Sequence, residues 1–304
     1  GAELTHQDEW SDRAERSEVL KKIRRIEIVT RRAAADTLAG QYHSVFKGRG
    51  IEFDQVRPYT VGDDIRSIDW NVTARHGSPF IKQYQEEREL TVMLLVDLSA
   101  SGLFGTRSSR KIELAAELSA LLAFSAIQNN DKVGLLLFTD RVERVILPQK
   151  GRKHVLRVIS EILSYTPQRR GTDINEALTY LSRLRLNGAI VFLISDFISP
   201  DYSQGLKVVS RKHDLVGLLV RDEKEAVLPD VGLAPLEDLE SGETVWVDTS
   251  DRNTRRYHEE YWRKMDAERR MLLGRLKVEH VELSCGDDYV PRLAAFFRRR
   301  AGRR

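Results

Sequence analysis

The 304-residue sequence predicts an α/β protein: a doubly wound, mostly parallel sheet preceded by a small N-terminal segment of helices and short strands. Three observations carry this expectation. Apolar runs at 91–96 and 189–194 have strand length and no alternation, as strands buried on both faces require. Amphipathic stretches with helical spacing lie between such runs. Polar residues follow directly on the strands, where ligands of doubly wound sheets bind.

Residues 1–89 form the first part, charged and irregular. Helical patterns cover 8–25 and 31–46, and Gly48-Arg49-Gly50 reads as a turn. Alternating stretches at 51–59 and 68–73 read as strands joined through Val61-Gly62-Asp63-Asp64. The second part, 90–304, carries the α/β pattern. Its first buried strand, 91–96, ends at Asp97; a helix over 112–127 then places Leu114, Leu118, Leu121, Leu122 and Ser125 on one face. A buried strand at 133–138 is followed by an alternating edge strand at 141–147. Val155, Val158, Ile159 and Ile162 make a helical stripe, and Asp173 with Glu176 opens a further helix in the manner of a capping box. The strand at 189–194 ends in Ser195-Asp196. A helix at 202–212, strands at 215–220 and 244–247, a long helix at 253–276 and a last strand at 278–283 complete the pattern.

The formal charge of +3 is concentrated at one end. Setting aside Arg298, Arg299, Arg300, Arg303 and Arg304 leaves 44 basic against 46 acidic residues, a charge of −2. An Arg cluster closing a helix complements the helix dipole, and it lacks the aromatic interleaving of a nucleic-acid surface. The single cysteine, Cys285, excludes an intrachain disulfide and a thiolate cluster; it reads as a buried or strand-end thiol. The seven histidines include no i, i+4 pair, so a helical zinc site is not expected. No apolar run reaches membrane-spanning length, and 1–22 has no signal-peptide core, so the chain is expected to be cytoplasmic without a membrane span.

The chemistry gathers at strand ends. Asp97-Leu98-Ser99-Ala100-Ser101 follows the first buried strand, Gly171-Thr172-Asp173 precedes a helix, and Ser195-Asp196 closes a third buried strand. These supply carboxylates and hydroxyls without imidazole or thiolate, a set suited to Mg²⁺, Mn²⁺ or Ca²⁺. Asp-x-Ser-x-Ser after a buried strand, with a later Thr and Asp, resembles the metal-ion-dependent adhesion site of von Willebrand factor A domains. The resemblance runs from residue 90 to about 297. It implies Ser99, Ser101 and Thr172 as direct metal ligands, Asp97 and Asp196 acting through water, and a partner carboxylate on the open metal position.

The preceding segment sharpens the resemblance. Gly48-Arg49-Gly50-Ile51-Glu52-Phe53, Val56-Arg57-Pro58-Tyr59, Gly62-Asp63-Asp64-Ile65-Arg66-Ser67-Ile68-Asp69-Trp70 and Thr73-Ala74-Arg75 resemble the signature of the family catalogued as domain of unknown function fifty-eight. Its members place this segment before a von Willebrand A-like domain and are often encoded beside MoxR-type AAA+ ATPases. That neighbourhood implies a chaperone-like or metal-insertion role with such an ATPase as partner. Many members carry membrane helices upstream, and this chain resembles the shorter soluble branch.

Asp63, Asp64 and Asp69 beside Arg57, Arg66 and Arg75 read either as a catalytic carboxylate cluster or as ion pairs fastening the segment to the main domain. The second is the expectation, since no nucleophile or histidine accompanies them. Trp70 is expected to anchor the packing between the two parts. Two functions follow. One is a divalent-metal-dependent protein-interaction module. The alternative is a Mg²⁺-dependent phosphotransferase or hydrolase with Asp97 as nucleophile, resembling haloacid-dehalogenase-like enzymes. Those enzymes need an aspartate two residues on as acid/base, and Ser99 stands there. No Gly-x-Ser-x-Gly elbow and no phosphate-binding loop occurs either. The interaction module is the expected function.

Overall fold

The computed structural model describes residues 3–47, 53–84, 89–99, 109–237 and 243–303. Gly48, Gly50 and Ser101 lie outside them. The chain opens with a single helical run in which α1 (Glu3–Ala33) passes through a π-helical turn (Ala34–Leu38) into α2 (Ala39–Phe46). The two helices expected at 8–25 and 31–46 are therefore continuous. The intervening Ile26-Glu27-Ile28-Val29-Thr30 contains no breaker, and the Thr30 hydroxyl donates to the Ile26 carbonyl at 2.6 Å, so this buried side chain is satisfied within the helix. Ala34, Leu38, Tyr42 and Val45 then line up on one buried face.

Next comes a small unit: β1 (Phe53–Pro58), a 3₁₀ turn (Ile65–Ser67), α3 (Trp70–His76) and β2 (Phe80–Tyr84), with β1 and β2 antiparallel. The strand expected at 68–73 is mostly helix instead. The Asp69 side chain accepts from the backbone N–H groups of Asn71 and Val72 and starts α3 as its N-cap. Only Ile68 keeps a strand-like bridge, to Ile81.

The body follows the predicted alternation: β3 (Thr91–Asp97), α4 (Ser109–Gln128), β4 (Lys132–Phe138), β5 (Val142–Gln149), α5 (Arg152–Ser164), α6 (Ile174–Arg183), β6 (Ile190–Ser195), α7 (Ser203–Lys212) and β7 (Asp214–Arg221). A two-stranded ribbon, β8 (Leu233–Glu237) with β9 (Thr244–Asp248), precedes α8 (Arg252–Arg275), β10 (His280–Ser284) and α9 (Tyr289–Ala301). The main sheet has the order β10-β7-β6-β3-β4-β5, all parallel except the edge strand β5. This is the expected doubly wound, mostly parallel sheet.

Alternation along β3 divides the core. Val92, Leu94 and Val96 join the layer that contains Leu118, Leu121, Val155, Ile159 and Phe297, together with Ile26, Leu38 and Tyr42 of the N-terminal helices. Met93 and Leu95 face the opposite layer, with Leu178, Leu181, Leu206, Val209 and Leu273. Burying each such aliphatic side chain contributes about 1.5–3 kcal/mol. Gly134 in β4 is required by this packing: a Cβ there would meet Met93 Sδ at 2.5 Å and the Ile146 carbonyl at 3.0 Å.

Asp131, at the entrance to β4, ties the N-terminal helices to the body. It is fully buried and accepts from Tyr42 Oη at 2.7 Å and from the Leu90 N–H at 2.9 Å, while Lys47 Nζ pairs with it at 2.7 Å. The fastening expected of the Arg57–Arg75 signature is thus made elsewhere. Arg57 holds Asp63 through two bonds of 2.7 and 2.6 Å, and Arg66 holds Asp64 at 3.0 Å, both within the small unit. Trp70 is not a packing anchor; it is 69% exposed. These paired charges stand only two to six positions apart, so the turns of the unit bring them together without the body. Arg300, from the basic end of α9, is buried, pairs with Glu279 at 2.8 Å and with Asp214, and lies 5.3 Å over the Phe46 ring. No helix among the described residues is long and apolar enough to cross a membrane.

Candidate functional site

Strand order reverses at β3, whose chain neighbours wind toward β4 on one side and β6 on the other. The carboxyl ends of β3 and β6 therefore mark the place where doubly wound sheets bind ligands. Asp97 ends β3 and Ser195-Asp196 ends β6. The Asp97 carboxylate accepts from the Ser99 N–H at 2.8 Å and from Ser195 Oγ at 2.6 Å. Ser195 Oγ in turn accepts from the Phe197 N–H at 2.9 Å. Asp196 accepts from the Ile198 N–H at 3.0 Å.

Phe197 adopts a φ of +60°, a left-handed conformation that is uncommon for a bulky residue. Its ring is accommodated over β7 because Gly217 lacks a side chain; a Cβ there would lie 3.0 Å from Phe197 Cζ. The sharp turn after β6 is thus seated by a specific small residue, and it sets Ser195 and Asp196 at the carboxyl end of that strand.

The Thr172 loop reaches the same end of the sheet ahead of α6. The Asp173 N–H donates to the Thr139 carbonyl at the end of β4 (2.9 Å), and the Ile174 N–H donates to Ser199 Oγ after β6 (3.0 Å). Since β4 and β6 flank β3, these two bonds tie the loop to segments that follow both neighbours of β3. Asp173 also caps α6, accepting from the Glu176 N–H as its sequence suggests. Asp140 lies against Gly171, 3.3 Å from a Cβ built there, and adds a carboxylate beside this loop.

The electrostatics are uneven. Burial, reinforced by the neighbouring Asp196 charge, pushes the Asp97 carboxyl up to about 6 despite its hydroxyl and amide donors. No Lys or Arg pairs with Asp97 among the described residues. Asp196, by contrast, has Lys111 Nζ 3.1 Å from its Oδ2. Lys111 also sits 2.8 Å from Glu225 Oε1 and 3.0 Å from Oε2. Burial works against the Lys111 charge, but Asp196 and Glu225 outweigh it and hold the ammonium above its ordinary range. Burial drives Glu225 up to about 7 against the pull of Lys111. Arg269 donates to the Asp196 carbonyl at 2.9 Å and pairs with Asp266. Next to this cluster lies a cavity of about 290 Å³, lined by Asp196, Asp222, Glu225, Trp262, Arg263 and Arg269 among others.

Of the predicted site residues, Asp97 and Asp196 stand at the carboxyl ends of the adjacent strands β3 and β6, Ser99 lies two positions after Asp97, Thr172 lies in the loop that Asp173 ties to the end of β4, and Ser101 falls outside the described residues. Lys111, Glu225 and Arg269 escape a reading of the sequence, because each stands among neighbouring charged residues of a helix or turn with no motif to single it out. The only signal for Lys111 is its place in the helical pattern that follows Asp-x-Ser-x-Ser. The side-chain oxygens at the ends of β3 and β6 are the carboxylates of Asp97 and Asp196 and the Ser195 hydroxyl. Two neighbouring carboxyls, Asp196 buried and Asp97 half-buried without a cation among the described residues, are the kind of set that a hard divalent ion relieves. Cys285, half-buried after β10, has its thiol raised to about 11, first by burial, with the charges of Asp222, Arg110, Lys111 and Glu225 acting on it in opposite directions.

Fold and site together define a doubly wound α/β protein with an oxygen-rich site at the switch point of its sheet. The chain belongs to the family described as "Protein of unknown function DUF58", which matches residues 55–268. It is similar to the uncharacterized protein Rv1480 of Mycobacterium tuberculosis H37Rv and to Mb1516 of Mycobacterium bovis. Each is 32% identical over 224 residues, covering 72% of this chain and 70% of the relative. Among solved structures, similarity extends to the conserved hypothetical protein BatB from Bacteroides thetaiotaomicron, at TM-score 0.41 and 16% identity over 70% of this chain and 99% of that one. A von Willebrand factor type A protein from Catenulispora acidiphila matches at TM-score 0.34 and 12% identity, over 44% of this chain and 34% of that one.

Proposed function

We propose that this chain is a divalent-metal-dependent protein-interaction module of the von Willebrand factor A-like type. Asp97, Ser99, Ser101, Thr172 and Asp196 would hold Mg²⁺, with Mn²⁺ or Ca²⁺ as substitutes. The bound ion would supply an electrophilic position that accepts a carboxylate from a partner protein. The observation that carries this reading is the half-buried Asp97 carboxyl, next to Asp196 and without a cation among the described residues, at the switch point of the sheet. A site whose ligands are largely hydroxyls leaves much of an ion's charge uncompensated, which favours an external Asp or Glu.

The chain's own groups have defined tasks in this reading. Ser195 Oγ and the Ser99 N–H orient the Asp97 carboxylate, and the Ile198 N–H orients that of Asp196. The bonds to Thr139 and Ser199 tie the Thr172 loop to segments that follow β4 and β6. On family resemblance, a MoxR-type AAA+ ATPase is the leading partner, in the assembly or maturation of other proteins. The test is Mn²⁺ binding followed by electron paramagnetic resonance, together with a pull-down on the folded bait in Mg²⁺ and in chelator. Saturable Mn²⁺ uptake that Asp97→Asn abolishes, with partners retained only in Mg²⁺, supports the reading. Failure of the chain to take up Mn²⁺ rejects it.

A further inference from the structure

We infer that Lys111 is a tethered cation that competes with the divalent ion for Asp196, and that Glu225 is the carboxylate to which it withdraws when the ion enters. The inference rests on the metal reading above and adds its regulation. Lys111 lies in the first turn of α4, a helix anchored in the core through Ile112, Leu114 and Ala115 just beyond it. Its side chain is 11% exposed, and the two carboxylates that it bridges are 6% and 10% exposed. The ammonium is therefore no surface charge resting near the site. It is the cation that neutralises one of the site's two aspartates.

The two oxygens of Asp196 face different groups: Oδ1 accepts from the Ile198 N–H at 3.0 Å, and Oδ2 faces the Lys111 ammonium at 3.1 Å. A dication drawn to this carboxylate and the ammonium already on it repel one another. The ion can settle only as the contact between Lys111 and Asp196 weakens. Glu225 makes this a short withdrawal: with both of its oxygens already within 3.0 Å of Nζ, it keeps the ammonium paired without exposing it to solvent. Arg110, one residue earlier, provides a contrast, since its guanidinium turns to Asp222 at 2.7 Å.

The test is calorimetric titration with Mg²⁺ of the full chain and of four variants. Lys111→Met should bind Mg²⁺ at least about tenfold more tightly than the parent, because Asp196 is released. Arg110→Met, which removes the same charge nearby, should change the affinity by less than about threefold. Glu225→Gln should weaken Mg²⁺ binding by about tenfold while Lys111 is present, and the double variant with Lys111→Met should bind as Lys111→Met alone does. Equal or weaker binding by Lys111→Met overturns the inference, as does an equal gain in Arg110→Met. Should Lys111→Met fail to fold, Glu225→Gln decides alone: unchanged affinity overturns the competition. If neither the parent nor Lys111→Met takes up Mg²⁺ at millimolar concentration, the metal reading itself fails, and the inference fails with it.

Discussion

At Asp97, burial and the Asp196 charge act in the same direction, lifting the carboxyl from 3.8 to about 6. Between about pH 4 and 6 the folded protein therefore holds a proton there that the unfolded chain has lost. With the pKa raised on folding, this group favours the folded state most below about pH 4, and that contribution is lost as pH rises through 6. Glu225, raised to about 7, extends the decline toward neutral pH. In chelator, urea midpoints measured from pH 4 to pH 7 should thus decline less steeply for Asp97→Asn than for the parent. An identical slope would mean that the carboxyl is not held as described. Ser99, standing where such enzymes carry an aspartate, has no carboxyl to act as acid/base, so no metal-dependent phosphatase activity above background is expected. Turnover of a phosphoester that disappears in Asp97→Asn would favour the enzyme alternative. Asp97 and Asp196 were legible in the sequence because each ends an unbroken apolar run. Lys111 and Glu225 were not, because they stand 114 positions apart and only the fold brings them together.

Among the elements, the buried strands and amphipathic helices of the body followed their sequence patterns closely. Local side-chain bonding decided the main exception: Asp69 capped α3 where alternation suggested a strand. Two short strands, β2 and β8, carried too little pattern to be read in advance. Asp69→Ala should therefore cost about 1 kcal/mol, the loss of a cap, as measured by chemical denaturation. No change would mean that pairing of β1 with β2 holds the unit without the cap. The connection between α2 and β4 is another matter. Asp131→Ala removes the partner of a buried Lys47 and of the Tyr42 hydroxyl, and should cost about 3–5 kcal/mol. A loss below about 1 kcal/mol would show that the N-terminal helices are held by their apolar face alone.

For the whole molecule, the central proposal is that one sheet edge captures a partner through a metal. The long N-terminal helices share the core behind that edge, and Arg300 fastens α9 to the body through Asp214, Glu279 and Phe46. Such a frame holds the strand ends in place, so substitutions at the edge should alter binding more than folding. Ser99→Ala and Thr172→Val should each lower Mg²⁺ affinity and partner affinity together while leaving the melting temperature nearly unchanged. The most direct measurement is calorimetric binding of a MoxR-type AAA+ ATPase to the folded chain in Mg²⁺, in chelator, and in Mg²⁺ with the Ser99→Ala variant. The account predicts binding in the first condition and a loss of about tenfold or more in the other two. Equal affinity in all three would contradict it.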